Sequence, residues 1–244
     1  MIEIMNLSKN FKNIKAVDNI SFKVNNGEIV GLLGENGAGK TTTLRMLATM
    51  LKPTDGTAVL NGHDIIKDQA KVRGEVGILF GGEVGLYDRL TARENIKYFA
   101  QLNGMSLEQT NNSISYLVKM LNMEEYIDRR VGKFSRGMKQ KVAIARSIVH
   151  EPSIMLFDEP TIGLDVTAAK IVQDFILNCK SQNKAIVFSS HTMQEVEKLC
   201  DRIVIINKGK IIEEGTIEQL KGKYNNNDME EIFMKLVGGE SVVK

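Results

Sequence analysis

Gly34-Glu35-Asn36-Gly37-Ala38-Gly39-Lys40-Thr41-Thr42 lies between a β-branched and leucine run, Glu28–Leu33, and a helical stretch from Thr41 to about Met50. Its first eight residues match G-x-x-x-x-G-K-[ST] in full. Glycines let a backbone curl until successive N–H groups point inward, and the following helix adds unpaired N–H groups and the positive end of its dipole. Such a concavity suits phosphate oxygens. Lys40 adds a point charge for the β- and γ-phosphates, and Thr41 a hydroxyl for Mg²⁺. The strand–loop–helix order is the context in which this motif is a site.

Downstream, Ile154-Met155-Leu156-Phe157-Asp158-Glu159-Pro160 reads as an apolar strand that delivers a carboxylate pair at its C-terminal end. That edge of an open α/β sheet is where ligands bind. Asp158 suits the Mg²⁺ shell and Glu159 suits a base for an attacking water. A guanine nucleotide would call for Asn-Lys-x-Asp. The nearest match, Asn207-Lys208-Gly209-Lys210, lacks the aspartate and reads as a hairpin turn, so ATP is the expected nucleotide.

The rest of the chain supplies the frame. Ile2–Leu7 and Ala16–Val24 read as strands, with a turn at Asn25-Asn26-Gly27. From about 90 to 150 glycines thin out, and Ile114, Leu117, Val118 and Leu121 recur at helical spacing. After Pro152, the apolar runs Ile154–Phe157, Ala185–Phe188 and Ile203–Ile206 alternate with helical stretches at about 166–182 and 192–200. This predicts an α/β fold: a P-loop NTPase core with a mainly parallel, RecA-like sheet, an N-terminal antiparallel part and an inserted helical lobe. The expected divisions are a core at about 1–89 and 151–220, a lobe at about 90–150, and a tail at 221–244. In the tail Met229–Val237 forms a short amphipathic helix, for packing on the core or for a partner.

Composition excludes several classes. The 244 residues are 43% hydrophobic and 25% charged with a formal net charge of +2, which is ordinary for a globular chain and shows no concentrated basic stripe for nucleic acid. No run approaches the roughly 18–20 apolar residues of a membrane span, and Met1-Ile2-Glu3-Ile4 has no signal-peptide character. A cytoplasmic protein is expected, with any membrane part on another chain. The two cysteines, Cys179 and Cys200, suit reduced packing positions.

Phe134-Ser135-Arg136-Gly137-Met138, ahead of a helical run at Val142–Val149, resembles the Leu-Ser-Gly-Gly-Gln signature loop of ATP-binding cassette (ABC) ATPases. Ser135 and Gly137 match; Phe134, Arg136 and Met138 replace leucine, glycine and glutamine. Alone, Ser-x-Gly would be no more than a helix cap. Further landmarks follow the family's order. Phe11 falls at the adenine-stacking position, Gly163-Leu164-Asp165 at the loop that meets an opposite subunit, and His191 at the switch that senses the γ-phosphate. The resemblance covers about residues 2 to 220. It implies an ATPase subunit of a transporter, held at the inner face of the membrane by separate permease subunits. It also implies a homodimer or paired cassette in which Ser135 and Gly137 of one copy meet the ATP held by Gly34–Thr42 of the other.

One departure stands out. The family's glutamine after the strand near Val76–Phe80 falls on Gly81 or Gly82, with Glu83 a substitute or a solvated loop carboxylate. Within the family, Leu86–Asn95, Asp128–Lys133 and Met229–Phe233 are similar to ATPases of sodium-extruding bacterial transporters, which implies sodium efflux. The rival readings are a cassette ATPase serving ribosomes or DNA, and a nucleotide-gated regulatory module with negligible turnover.

Overall fold

The computed structural model describes residues 1–81 and 85–238. Gly82 and Glu83, offered above for the missing glutamine, lie outside the described residues, as does the tail beyond 238.

The chain opens with the strands β1 (Ile2–Phe11), β2 (Ile14–Val24) and β3 (Ile29–Leu33), then the helix α1 (Lys40–Leu47). Next come β4 (Asp55–Leu60), the two-residue β5 (His63–Asp64), α2 (Gln69–Glu75) and β6 (Val76–Phe80). Helices α3 (Ala92–Leu102) and α4 (Leu107–Met120), a 3₁₀ turn at Val131–Lys133 and α5 (Arg136–Ile148) follow. The chain then alternates through β7 (Ile154–Asp158), α6 (Val166–Ser181), β8 (Ala185–Ser190), α7 (Met193–Leu199) and β9 (Arg202–Asn207). It closes with β10 (Lys210–Gly215), α8 (Ile217–Tyr224) and α9 (Met229–Gly238).

Two sheets result. One is antiparallel in the order β2-β1-β4-β5, and the other runs β10-β9-β3-β8-β7-β6. In the larger sheet β6, β7, β8, β3 and β9 are parallel, and β10 joins antiparallel through the turn at Lys208-Gly209. Every residue of β3, β7 and β8 is buried, which is why these strands read as unbroken apolar runs rather than alternating ones.

Their alternate side chains still divide between two cores, as the strand period of two requires. Leu33, Phe157, Phe188 and Ile205 face the side covered by α3, α5 and α6, and Phe157 meets Phe175 edge-to-face with ring centres 5.9 Å apart. Leu32, Leu156, Val187 and Val204 face the side shared with α1 and the antiparallel sheet. The insertion between β6 and β7 is helical, and α3 and α4 each open on a reciprocal capping box, Thr91 with Glu94 and Ser106 with Gln109. In the tail, Met229 and Ile232 of α9 are buried in the first core, so this helix packs on its own chain.

Two elements differ from the sequence reading. The first helix ends at Leu47, before Pro53, Asp55 and Gly56 are reached, with Thr49 left-handed at φ 57°, and Asp55 instead starts β4, which pairs with β1 from Ile2 to Ser8. Helix α2, with only Val72 buried, offers no apolar periodicity to read.

Candidate functional site

The glycine loop joins β3 to α1. Gly37 and Gly39 sit at φ 86° and 113°, backbone that side chains other than glycine rarely adopt. Gly39 is the residue preceding the first turn of α1. Glu35, Asn36 and Gly37 are exposed, while Gly34, Ala38, Gly39 and Lys40 are buried and Thr41 and Thr42 half-buried. The loop is pinned from both sides. Ala38 N–H donates to the Glu35 carbonyl at 3.1 Å, and the Ala38 carbonyl accepts from Gly209 N–H at 3.0 Å.

Lys40 is 4% exposed. Its ammonium donates to the carbonyls of Gly34 at 2.7 Å and Glu35 at 3.1 Å, and lies 3.5 Å from Glu159 Oε1. Thr41 donates its hydroxyl to Asp158 Oδ1 at 3.0 Å, and Ser189 donates to the same oxygen at 2.7 Å. A hydroxyl and a carboxylate are hard oxygen donors. They fit a magnesium ion, which takes one or two protein oxygens and fills its remaining positions with phosphate oxygens and water. Among the described residues there is no group of three or more His, Cys, Asp or Glu side chains that could hold a metal.

Glu159 follows β7 directly. Its Oε2 lies 3.2 Å from His191 Nδ1, so its carboxylate sits between the Lys40 ammonium and the His191 imidazole. Glu159 adopts φ 47°, a left-handed conformation that costs an ordinary side chain of order 1–3 kcal/mol and persists only where neighbours hold it. Its N–H donates both to the Ser189 carbonyl and to Ser189 Oγ, each at 3.1 Å.

The structure therefore brings Lys40, Thr41, Asp158, Glu159 and His191 together. Phe11 ends β1, half-exposed on the hairpin whose outgoing strand passes Gly39 at Ala16 and Val17; the Lys9 ammonium lies 5.2 Å from its ring centre. Ser135 and Gly137 stand apart, at the start of α5. Ser135 caps that helix by accepting from Met138 N–H at 3.3 Å, and within the chain neither residue hydrogen-bonds to the glycine loop. Arg136 between them donates to the Gly163 carbonyl. Asp165 caps α6 by accepting from Ala168 N–H at 2.8 Å.

Two participants escaped the sequence reading. Ser189 bonds both Asp158 and Glu159, and Glu195 collects hydroxyls from Thr161 and Ser190. The signal for Ser189 was its place at the end of a strand parallel to β7; nothing local marked Glu195.

The sequence profile of the family described as ABC transporter matches residues 17–162. The ABC transporter ATP-binding protein NatA of Bacillus subtilis is 48% identical over 246 aligned positions, covering 99% of this chain and all of that one. The bacitracin transport ATP-binding protein BcrA of Bacillus licheniformis is 38% identical, covering 91% of this chain and 71% of its own. Among solved structures, an ATP-binding subunit of an ABC transporter superposes with TM-score 0.87 at 27% identity, over 97% of this chain and 99% of that one. A dimeric ATP-binding cassette in a post-hydrolysis state with ADP and Pi superposes with TM-score 0.78 at 26% identity, over 88% and 98%.

Proposed function

The chain belongs to the ABC transporter family as an ATP-binding subunit, and on that premise we propose that it hydrolyses ATP at Glu159 and drives sodium out of the cell through separate membrane subunits. The observation that carries the chemistry is the Glu159 carboxylate, set 3.5 Å from the Lys40 ammonium and 3.2 Å from His191 Nδ1.

In this reading the backbone of Gly34–Thr42 and the Lys40 ammonium hold the β- and γ-phosphates, and Phe11 offers its ring to adenine. Thr41 and Asp158 hold Mg²⁺, which when bound screens the charge between the phosphate oxygens. Glu159 takes the proton of the attacking water, and His191, hydrogen-bonded to it, holds the carboxylate in line and contacts the γ-phosphate. Ser135, exposed, and Gly137, half-buried, at a helix N-terminus away from their own loop, serve the nucleotide of a second copy. Two copies close over two ATP molecules, and hydrolysis removes the bridge between them.

Among the described residues no helix is long and apolar enough to cross a membrane, which supports a permease on other chains. The helical segment at about 90–150 is the proposed lobe that engages it at the inner face of the membrane, with the core at about 1–89 and 151–220. What supports sodium as cargo is the similarity of Leu86–Asn95, Asp128–Lys133 and Met229–Phe233 to ATPases of sodium-extruding transporters, and the match to NatA along the whole chain.

The test is co-expression with a multi-span membrane protein as candidate permease, followed by ATP-driven sodium uptake into inverted vesicles. Uptake that disappears with Lys40→Ala supports the proposal. Vesicles that hydrolyse ATP without moving sodium overturn the cargo, and a purified chain that binds ATP without releasing phosphate overturns the hydrolytic reading.

A further inference from the structure

Glu195 stands on α7, four residues past His191, and its carboxylate is a meeting point of three segments. Oε2 accepts the Thr161 hydroxyl at 2.9 Å and the Ser190 hydroxyl at 3.1 Å. Oε1 accepts from Gln173 Nε2 on α6 at 3.3 Å, and Gln173 Oε1 in turn takes the Lys198 ammonium at 2.7 Å. Thr161 lies two residues after Glu159, and Ser190 immediately precedes His191. A single carboxylate oxygen is thus bonded to both loops that carry the Glu159–His191 pair.

The two loops have different needs, and this oxygen meets both. Glu159 is left-handed at φ 47° and precedes Pro160, so the chain leaving β7 needs a hold downstream of the strained residue. Its upstream hold is the pair of hydrogen bonds to Ser189; downstream, Gln140 reaches the Pro160 carbonyl at 3.5 Å and Glu195 takes the Thr161 hydroxyl, the tie that also reaches the other loop. On the other loop, Ser190 is 3% exposed. Its hydroxyl donates to Glu195 and accepts from Thr192 N–H at 3.0 Å, which fixes the turn bearing His191. His191 itself is half-exposed, and its ring is oriented by Glu159 and by that turn.

We propose that Glu195 is a positioning residue for hydrolysis: its carboxylate latches the loop of Glu159 to the loop of His191 and so sets the distance between them. This rests on the reading of Glu159 as the base. Neither Glu195 nor Gln173 hydrogen-bonds to Lys40, Thr41, Asp158 or Glu159; both act through the loops they tie.

The experiment measures steady-state phosphate release and nucleotide affinity of the purified full-length chain. Glu195→Ala frees both loops and is expected to lower kcat about 10-fold to 10²-fold, the scale of a misplacement near 1 Å, with KM and ATP affinity within about twofold of wild type. Glu195→Gln keeps an oxygen that accepts both hydroxyls and gives up only the arm to Gln173. It is expected to retain kcat within about threefold, and Gln173→Ala to behave likewise. Thr161→Val removes one donor without changing side-chain size and is expected to lower kcat alone but to add little to Glu195→Ala, the non-additivity of groups that act as one unit.

Wild-type kcat in Glu195→Ala, equal losses in Glu195→Gln and Glu195→Ala, or full additivity with Thr161→Val would each overturn the latch. If Glu195→Ala does not fold, Thr161→Val and Glu195→Gln carry the test by themselves. Failure of the underlying reading looks different: Glu159→Gln would then turn over like wild type, whereas a failed latch leaves Glu159→Gln inactive and Glu195→Ala active.

Discussion

The carbonyl oxygen of Glu159 stands where a β-carbon on Gly81 would have to go. A side chain begun there would also meet Ile162 Cγ2 at 2.7 Å. Gly81 donates its N–H to the Asp158 carbonyl at 2.7 Å, so the end of β6 is joined to the end of β7 by a backbone hydrogen bond with no room for anything larger than hydrogen on the facing carbon. A glutamine at Gly81, one of the two positions on which the family's glutamine falls, is sterically shut out by the Glu159 carbonyl.

A sharp expectation follows for substitution at Gly81. Gly81→Ala must push the Glu159 carbonyl aside and with it the base, so kcat should fall by about 10² while ATP affinity, set by the loop around Lys40, stays within about twofold. Gly81→Gln, which puts the family's glutamine at one of its two candidate positions, should lose as much. Turnover assays paired with nucleotide titration check this. A Gly81→Gln chain as active as wild type would show that the loop accommodates the side chain and that the contact with Glu159 is incidental.

Glu159→Gln retains the shape of the side chain and its oxygen toward either neighbour, but removes the proton acceptor. Hydrolysis should slow by about 10²–10⁴ with ATP binding intact. Because the unhydrolysed nucleotide keeps the proposed bridge in place, sedimentation of this variant with saturating ATP should show a dimer that disperses with ADP. Monomer alone at high protein and ATP concentration would rule out the two-copy arrangement.

How much of this was legible in the sequence depended on how local the cause was. The glycine loop and the Asp158-Glu159 pair were readable because each follows an apolar strand, and parallel strands deliver their C-terminal ends to one edge, whereas His191 was readable only through the family resemblance. Strand β4 was hidden because Pro53, Asp55 and Gly56 punctuate a helix and a strand start equally well. The exclusion of glutamine at Gly81 was not readable, since it depends on the φ of a residue 78 positions away. Glu195 was out of reach for a similar reason: its partners Thr161 and Gln173 come from segments 34 and 22 residues distant.

Arg136 gives the signature loop a feature of its own. Where the family has glycine, this guanidinium donates to the Gly163 carbonyl and ties the start of α5 to the loop before α6. Both segments are expected to face the second copy, so the tie orders that surface before assembly. Arg136→Gly removes an exposed side chain and its intrachain hydrogen bond, and should lower stability by about 1–2 kcal/mol. In the Glu159→Gln background it should raise the ATP concentration for half-assembly about fivefold, the equivalent of one hydrogen bond worth about 1 kcal/mol. Unchanged assembly would mean the tie has no part in presenting the loops.

His150, just past α5, links pH to stability. Its Nε2–H donates to the Val76 carbonyl at 3.1 Å, which leaves Nδ1 as a buried acceptor with no partner among the described residues. Burial holds the imidazole below its ordinary pKa, the Val76 carbonyl opposes this, and Lys184 adds to the depression. Arg73 of α2 and Arg146 of α5 line the same cavity as His150. With the folded pKa below the unfolded value of about 6.5, the unfolded chain takes up the proton first as pH falls. Stability from this residue is then complete above that value and is lost as pH drops through it. The melting temperature should therefore decline between pH 7.5 and 5.5, at about 2–4 °C per kcal/mol for a chain of this size. His150→Gln donates to the same carbonyl and does not titrate, so its decline should be shallower than that of wild type. Thermal melts across that interval decide the matter, and parallel declines in the two proteins would assign the pH response to other groups.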